Sequence, residues 1–173
     1  MIIELLYKYL DHGVRQLTTR YAEARANDPE LRDLSQLGDG TSDQQLIRRL
    51  IVTGVGKLRA VLRDKLVNST ENADDKLPVV ASWEFNFKEA DADSRALAEL
   101  MHWFIVRAAI VEWCRMFSPN DLAEVKSAVE DAADELDELL SGSGMPTKER
   151  RTLISEDGPA EVKFTYIPYG GIG

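Results

Sequence analysis

The chain has 173 residues, a net charge of −9 at pH 7 and one cysteine. This length suits one domain, and the single cysteine excludes a disulfide within the chain. The acidic balance disfavours non-specific nucleic-acid binding, which depends on neutralising phosphates. Glu4 and Lys8 interrupt the apolar start MIIELLYKYL, which is not typical of a signal peptide. We therefore expect a soluble, cytoplasmic protein.

Apolar residues at steps of three and four predict a first helix from about Ile2 to Asn27. Asp28-Pro29 ends it, because the residue before a proline avoids helical angles. Residues 29–41 are predicted to form a connection. Gly13 lies inside the helix and indicates a close helix crossing.

A second helix is predicted to begin at Ser42, where Ser42 and Gln45 have the spacing of a capping box. An apolar stripe continues through it to Leu66. Gly54 and Gly56 lie in the middle of this helix, and they indicate points where a neighbouring backbone approaches closely.

Residues 67–78 are polar and predict a mobile loop. Trp83, Phe85 and Phe87 then alternate with polar residues, which predicts a strand at about 79–88. The next stretch, SRALAELMHWFIVRAAIVEWCRMF at 94–117, is apolar nearly all round. Such a helix is usually buried, so we expect it to be the centre of the core. Asp91 or Asp93 is the expected N-cap.

Ser118-Pro119 has the pattern that opens a helix, with serine as N-cap and proline in the first turn. This fourth helix is acidic, and Gly142 and Gly144 end it. In the tail, TLIS and EVKFTYI are two strand-like runs separated by a turn signal, which predicts a hairpin.

These elements predict a mostly α protein. We expect a four-helix bundle-like core around the central apolar helix, with short β-strand or hairpin arms. The predicted domains are a helical domain over residues 1–144, with a loop and strand insertion at about 67–93, and an extended arm or β-hairpin over 145–173.

Charge is divided between two of the predicted helices. Residues 42–66 hold six basic and two acidic residues, a net charge of +4. Residues 119–141 hold eight acidic residues and one lysine, a net charge of −7. Two helices of opposite sign could lie side by side in one subunit or meet between copies.

One pattern could bind a metal. Glu99 and His102 lie three apart on a helix, which is how ferritin-like bundles place iron ligands. Such a site needs a second pair, and the other histidine, His12, has Tyr9 three residues before it. We therefore interpret His102 as a hydrogen-bonded helix residue and expect neither a metal nor another cofactor.

Nucleophilic and acid–base chemistry also lack partners. Cys114 and His102 are twelve residues apart on one helix, or about 18 Å, and cannot meet within a subunit. Gly54-Val55-Gly56-Lys57 lacks the spacing of a phosphate loop. Carboxylates cluster in the fourth helix without a nucleophile or histidine nearby, which is typical of a solvated face. We expect no catalytic residues.

The helix pattern resembles the small helical head–tail connector (adaptor) proteins of tailed bacteriophages. The likeness covers residues 42–66 and 95–144. In the first segment the helix-opening pattern of that family is taken by Asp43, Leu46, Leu50, Ile51 and Val55. The second segment resembles the closing helix pair of the family. The long first helix, the 67–93 segment and the tail depart from the pattern.

The resemblance implies a structural assembly protein that forms a ring at the portal-to-tail junction of a phage or prophage. Its implied partners are further copies of itself and the portal and tail proteins, in the host cytoplasm and the virion. Alternatives are a soluble bacterial helical protein-binding module and, less favoured, a helical-bundle enzyme. The residues that we expect to contact partners are aromatic in the arms and charged on the helices: Trp83, Phe85, Phe87, Phe164, Tyr166, Tyr169, Arg48, Arg59, Asp134 and Glu138.

Overall fold

The computed structural model describes residues 1–24, 37–74, 77–88, 92–141 and 163–168. Its elements, in chain order, are β1 (Ile2–Leu6), α1 (Tyr7–Glu23), α2 (Thr41–Val61), β2 (Leu66–Asp74), β3 (Leu77–Phe87), α3 (Ser94–Phe117), α4 (Leu122–Ser141) and β4 (Lys163–Tyr166). A 3₁₀ turn at Pro119–Asp121 precedes α4.

The fold is α+β, so the predicted mostly α bundle with β arms is wrong. The four strands form one mixed sheet in the order β2-β3-β1-β4. β1 pairs antiparallel with β3 and parallel with β4, and β2 pairs antiparallel with β3. The sheet contributes to the same core as the helices, because its inner face is covered by apolar side chains in one continuous cluster.

The predicted first helix is wrong at its start, where the chain forms β1. Ile3 pairs with Phe85, and Leu5 pairs with Trp83. All four side chains are buried, whereas Glu4 between them points to the outer face of the sheet. The apolar residues of IIELL fit a strand as well as a helix, and pairing with β3 buries both of its inner-face residues.

The predicted loop at 67–78 is also wrong, because Leu66–Asp74 is the edge strand β2. Asn68 and Thr70 are exposed, and Ser69 pairs with Phe85. An edge strand has solvent beside it, so it buries fewer side chains than a central strand and can have a polar sequence. The predicted strand at 79–88 is confirmed as β3.

The central helix is confirmed as α3, with the predicted bounds. It contacts α1, α2, α4, β1 and β4, which explains why it is apolar nearly all round.

Gly54 of α2 lies against α3 so closely that a Cβ atom would be 2.6 Å from the Ile105 carbonyl oxygen. Gly13 of α1 allows a similar approach, since a Cβ there would lie 2.9 Å from Val106 Cγ2.

Helix ends agree with the sequence in part. Asp93 caps α3, and its Oδ1 accepts hydrogen bonds from the backbone nitrogens of Arg95 and Ala96. The predicted capping box of Ser42 and Gln45 is wrong, because α2 begins one residue earlier and its N-cap is Gly40.

The last described strand, β4, lies beside β1 at an edge of the sheet. Ile3 pairs with Phe164 and Leu5 with Tyr166, so the aromatic residues of β4 share the inner face. The other predicted strand of the tail hairpin, at 152–155, lies outside the described residues.

Candidate assembly surfaces

The oppositely charged segments lie on two helices that both pack on α3. The basic segment comprises residues 42–66, including α2, and the acidic segment comprises residues 119–141, including α4. A contact between the segments occurs at their C-terminal ends, where Lys65 Nζ lies 3.6 Å from Asp137 Oδ1. α3 thus has the basic helix and the acidic helix packed against it.

Three basic side chains of the segment have carboxylate partners within the chain. Lys57 Nζ lies 2.7 Å from Glu112 Oε1, and Lys65 pairs with Asp137. Arg59 donates from Nε to Ser69 Oγ at 3.1 Å, and its Nη2 lies 3.4 Å from Glu71 Oε1. Arg59, one of the predicted partner contacts, therefore holds β2 against α2.

The remaining arginines of the basic segment have no carboxylate partner among the described residues. Arg49 and Arg63 are exposed, whereas Arg48, a predicted contact, is half-buried. Among the described residues, the exposed positive charge of the basic segment that no carboxylate neutralises is therefore at Arg49 and Arg63. The sequence did not single out these two residues.

The acidic helix α4 presents its carboxylates to solvent. Asp134 and Glu138, both predicted contacts, are exposed. In the part of α4 that is described, Asp137 is the one carboxylate with an ion pair. Val125, Ala132 and Leu136 form the buried face of the helix. The carboxylates are thus distributed around the solvent side and leave the apolar side to α3.

The predicted aromatic contacts lie on the inner face of the sheet. Trp83, Phe85 and Phe87 are at most 2% exposed, and Tyr166 is buried with its ring centroid 5.2 Å from that of His102. Phe164 is half-buried. Tyr169 lies outside the described residues. The described aromatic side chains pack within the chain, so β-strand arms that present them to a neighbour are not part of this fold.

The sequence missed a polar cluster on the outer face of the sheet. Glu4 of β1 and Glu84 of β3 are paired across the two strands, and Lys163 of β4 reaches both. Its Nζ atom lies 2.5 Å from Glu84 Oε1 and 3.3 Å from Glu4 Oε1. Ser82 Oγ and Thr165 Oγ1 donate to the two oxygens of Glu4 at 2.8 and 2.7 Å. Asn72 of β2 donates from Nδ2 to Glu84 Oε1 at 2.7 Å, so the cluster joins the four strands of the sheet.

Electrostatics in the cluster favour the charged forms. Burial disfavours ionisation of Glu4, but hydrogen bonds from Thr165, Ser82 and Lys163 outweigh it and hold the pKa of this carboxyl below its usual value. The hydrogen bond to Glu84 raises the pKa of Lys163. The alternation of Glu4 and Glu84 with buried neighbours was the available signal, but it is visible only once β1 is recognised as a strand.

Two of the candidate chemical residues, His102 and Cys114, are buried. His102 is 3% exposed, and burial, with a smaller effect of His12, lowers its pKa to about 4. Cys114 is a buried thiol. No group of three or more histidine, cysteine or acidic side chains arranged to hold a metal ion occurs in the described ranges.

Comparison with protein-family models, with curated proteins and with solved structures found no match. Of the helices that the structure describes, none is long and apolar enough to cross a membrane.

Proposed function

We propose that this chain is a structural assembly protein that associates with copies of itself into a ring, and that it acts as a head–tail connector of a phage or prophage. The observation that carries the self-association is the pair of charged surfaces on α2 and α4. Arg49 and Arg63 on one, and Asp134 and Glu138 on the other, are exposed without ion-pair partners among the described residues.

Such an arrangement allows a head-to-tail contact. Each copy offers one positive and one negative surface, so the basic segment of one copy is complementary to α4 of the next. A contact between two different surfaces repeats from copy to copy, and it closes into a ring when the rotation between copies allows it.

The connector role rests on the resemblance of residues 42–66 and 95–144 to the helical connector family. Leu50, Ile51 and Val55, which carry part of that pattern, are buried in the core of this chain. They stabilise the helix that displays Arg49. The sheet stands outside the resemblance. By family likeness, the further partners are the portal and tail proteins, in the host cytoplasm and the virion.

Mass photometry across salt concentrations tests the self-association. We expect oligomers at about 50 mM salt and their dissociation at about 500 mM, because exposed charges are screened over a Debye length that shortens to a few ångströms. A chain that remains monomeric at low salt, at the highest concentration that can be measured, would contradict the proposal.

The connector role has a separate test. We expect the genes beside this one to encode portal, capsid or tail proteins, and the chain to copurify with the portal or tail protein when the two are expressed together. Neighbouring genes of unrelated function, with no copurification, would contradict the connector role while leaving the self-association standing.

A further inference from the structure

A cavity of about 320 Å³ lies between α1, α3 and α4, away from the outer face of the sheet. Apolar and aromatic side chains form much of its wall, among them Leu17, Tyr21, Trp103, Ile110 and Val125. Its volume is at the lower end of the range for sites that bind small molecules. On the side of α1 it meets a second cavity of about 650 Å³, with which it shares Leu17, Arg20 and Trp103.

Two arginines line the cavity without a carboxylate partner. Arg20 of α1 and Arg107 of α3 have no ion pair within 4 Å among the described residues. Arg107 is half-buried, and its described hydrogen bond is a long one, from Nη1 to the Ala128 carbonyl oxygen at 3.5 Å. A partly buried guanidinium with unused donors favours binding of an anion.

A third charged group sets the net charge of the site. Glu124 of α4 lines the same cavity and pairs with neither arginine within 4 Å in the described part of the chain. Burial, followed by the charge of Glu124, raises the pKa of Tyr21, so its hydroxyl remains a neutral donor. Two arginines and one glutamate leave one positive charge beside an aromatic wall.

We propose that this cavity binds a small aromatic carboxylate, a ligand with one negative charge and one flat apolar body. The carboxylate lies between Arg20 and Arg107, whose planar guanidinium groups match its geometry. The ring packs on Trp103 and Tyr21 and displaces water from Leu17 and Ile110. The proposal rests on other observations than the assembly contact, which is argued from Arg49, Arg63, Asp134 and Glu138.

Fluorine NMR of 4-fluorophenylacetate added to the full chain tests this site, with 4-fluorophenylacetamide as the neutral match. We expect the carboxylate to bind with a dissociation constant of about 1 mM or tighter, and the amide at least about tenfold more weakly, because it lacks the charge that the arginines recognise. Equal binding of the two probes, or no binding of the carboxylate at about 10 mM, would overturn the proposal.

Variants locate the binding. Arg107→Gln and Arg20→Gln should each weaken carboxylate binding by about tenfold, and Glu124→Gln should strengthen it, since it removes a competing negative charge. Lys8→Gln, which removes an exposed positive charge from α1, should leave the affinity unchanged. Arg20 is exposed, so its variant should fold even if that of Arg107 does not. Undiminished binding by Arg20→Gln contradicts the site.

Discussion

His102 shows how a residue that suggests chemistry in the sequence becomes part of the core. Its ring contacts Trp103 edge-on at 5.3 Å between centroids and lies 5.2 Å from the ring of Tyr166. The helical spacing to Glu99 was visible in the sequence, but the aromatic surroundings were not, because Tyr166 belongs to a strand 64 residues away along the chain. Burial keeps the ring neutral, with a pKa of about 4.

The lowered pKa of His102 predicts loss of stability in mild acid. The unfolded chain takes up the proton near pH 6.5, the ordinary pKa of histidine, whereas the folded chain does so only near pH 4. The free energy of unfolding therefore falls as pH decreases through this window, by about 2 kcal/mol between pH 7 and pH 5 for this group. Urea unfolding at the two pH values measures the difference.

Two variants separate His102 from the other histidine. His102→Phe keeps an aromatic ring beside Trp103 and Tyr166 and should lose most of the pH dependence between pH 7 and 5. His12→Asn, at an exposed position, should retain it. If His102→Phe follows the wild type, another group causes the acid sensitivity.

Glycines show what residue-scale reasoning can and cannot reach. The prediction of a close approach is confirmed at Gly54, where a Cβ would be 2.6 Å from the Ile105 carbonyl oxygen. At Gly56 it is wrong, because no atom lies within 4 Å of the Cβ position. The two glycines are two residues apart, so they face different sides of α2, and only the packing decides which side meets α3.

At the scale of elements, the polar cluster contributes more to holding β4 on the sheet than the backbone hydrogen bonds of this short strand do. A four-residue parallel strand makes few ladder hydrogen bonds, and Lys163 and Thr165 attach its outer face to Glu4 and Glu84. Without the lysine, two carboxylates would face each other across β1 and β3, an unfavourable pairing. Lys163 therefore stabilises both the edge strand β4 and the pairing of β1 with β3.

Lys163→Met should destabilise the fold by about 1 kcal/mol at pH 7, a modest value because the lysine side chain is 42% exposed and screened by water. Hydrogen exchange should show faster exchange of the β4 amides than in the wild type, and urea unfolding gives the energy. Lys126→Met, at an exposed site on α4, is the control.

Adding Glu84→Gln to Lys163→Met should recover part of the lost stability. A loss that stays the same in the presence of Glu84→Gln would show that the carboxylate pair is not its cause.

The elements that the sequence predicted well are those whose local pattern and tertiary surroundings agree. α3 is apolar nearly all round and is contacted by three helices and two strands, so its bounds and burial could be predicted. The bounds of β1 and β2 could not be predicted, because each strand is defined by the strand it pairs with. The apolar residues of IIELL fit the period of a helix as well as that of a strand. The polar segment β2 is a strand only because it pairs with β3.

At the scale of the whole molecule, the apolar surface of α3 was interpreted as the centre of a four-helix bundle. Part of that surface instead contacts β1 and β4. A helix buried by a sheet and a helix buried by other helices need the same apolar side chains, so the sequence of α3 could not distinguish them. The charged segments were predictable because composition alone reveals them, but not which charges the chain neutralises internally.

Internal ion pairs decide which charges remain for a partner. Arg59 is occupied by Glu71 and Ser69, whereas Arg49 and Arg63 are exposed without such partners among the described residues. Reversing those two (Arg49→Glu with Arg63→Glu) changes the net charge of residues 42–66 from +4 to 0 and should abolish self-association at low salt. Reversing two carboxylates of α4 instead (Asp134→Lys with Glu138→Lys) changes the net charge of residues 119–141 from −7 to −3 and should weaken self-association.

Mixing the two reversed chains provides the decisive measurement. In a head-to-tail contact, unchanged α4 of the first chain meets the unchanged basic segment of the second, whereas the two altered surfaces, with net charges of 0 and −3, do not attract each other. We therefore expect mass photometry to show one-to-one complexes of the two chains in the mixture, although the first chain alone is monomeric. Lys8→Glu reverses one exposed charge on α1, outside both charged segments, and should associate as the wild type does. A two-fold contact between like surfaces would predict no such recovery, because each chain would still meet its own charge.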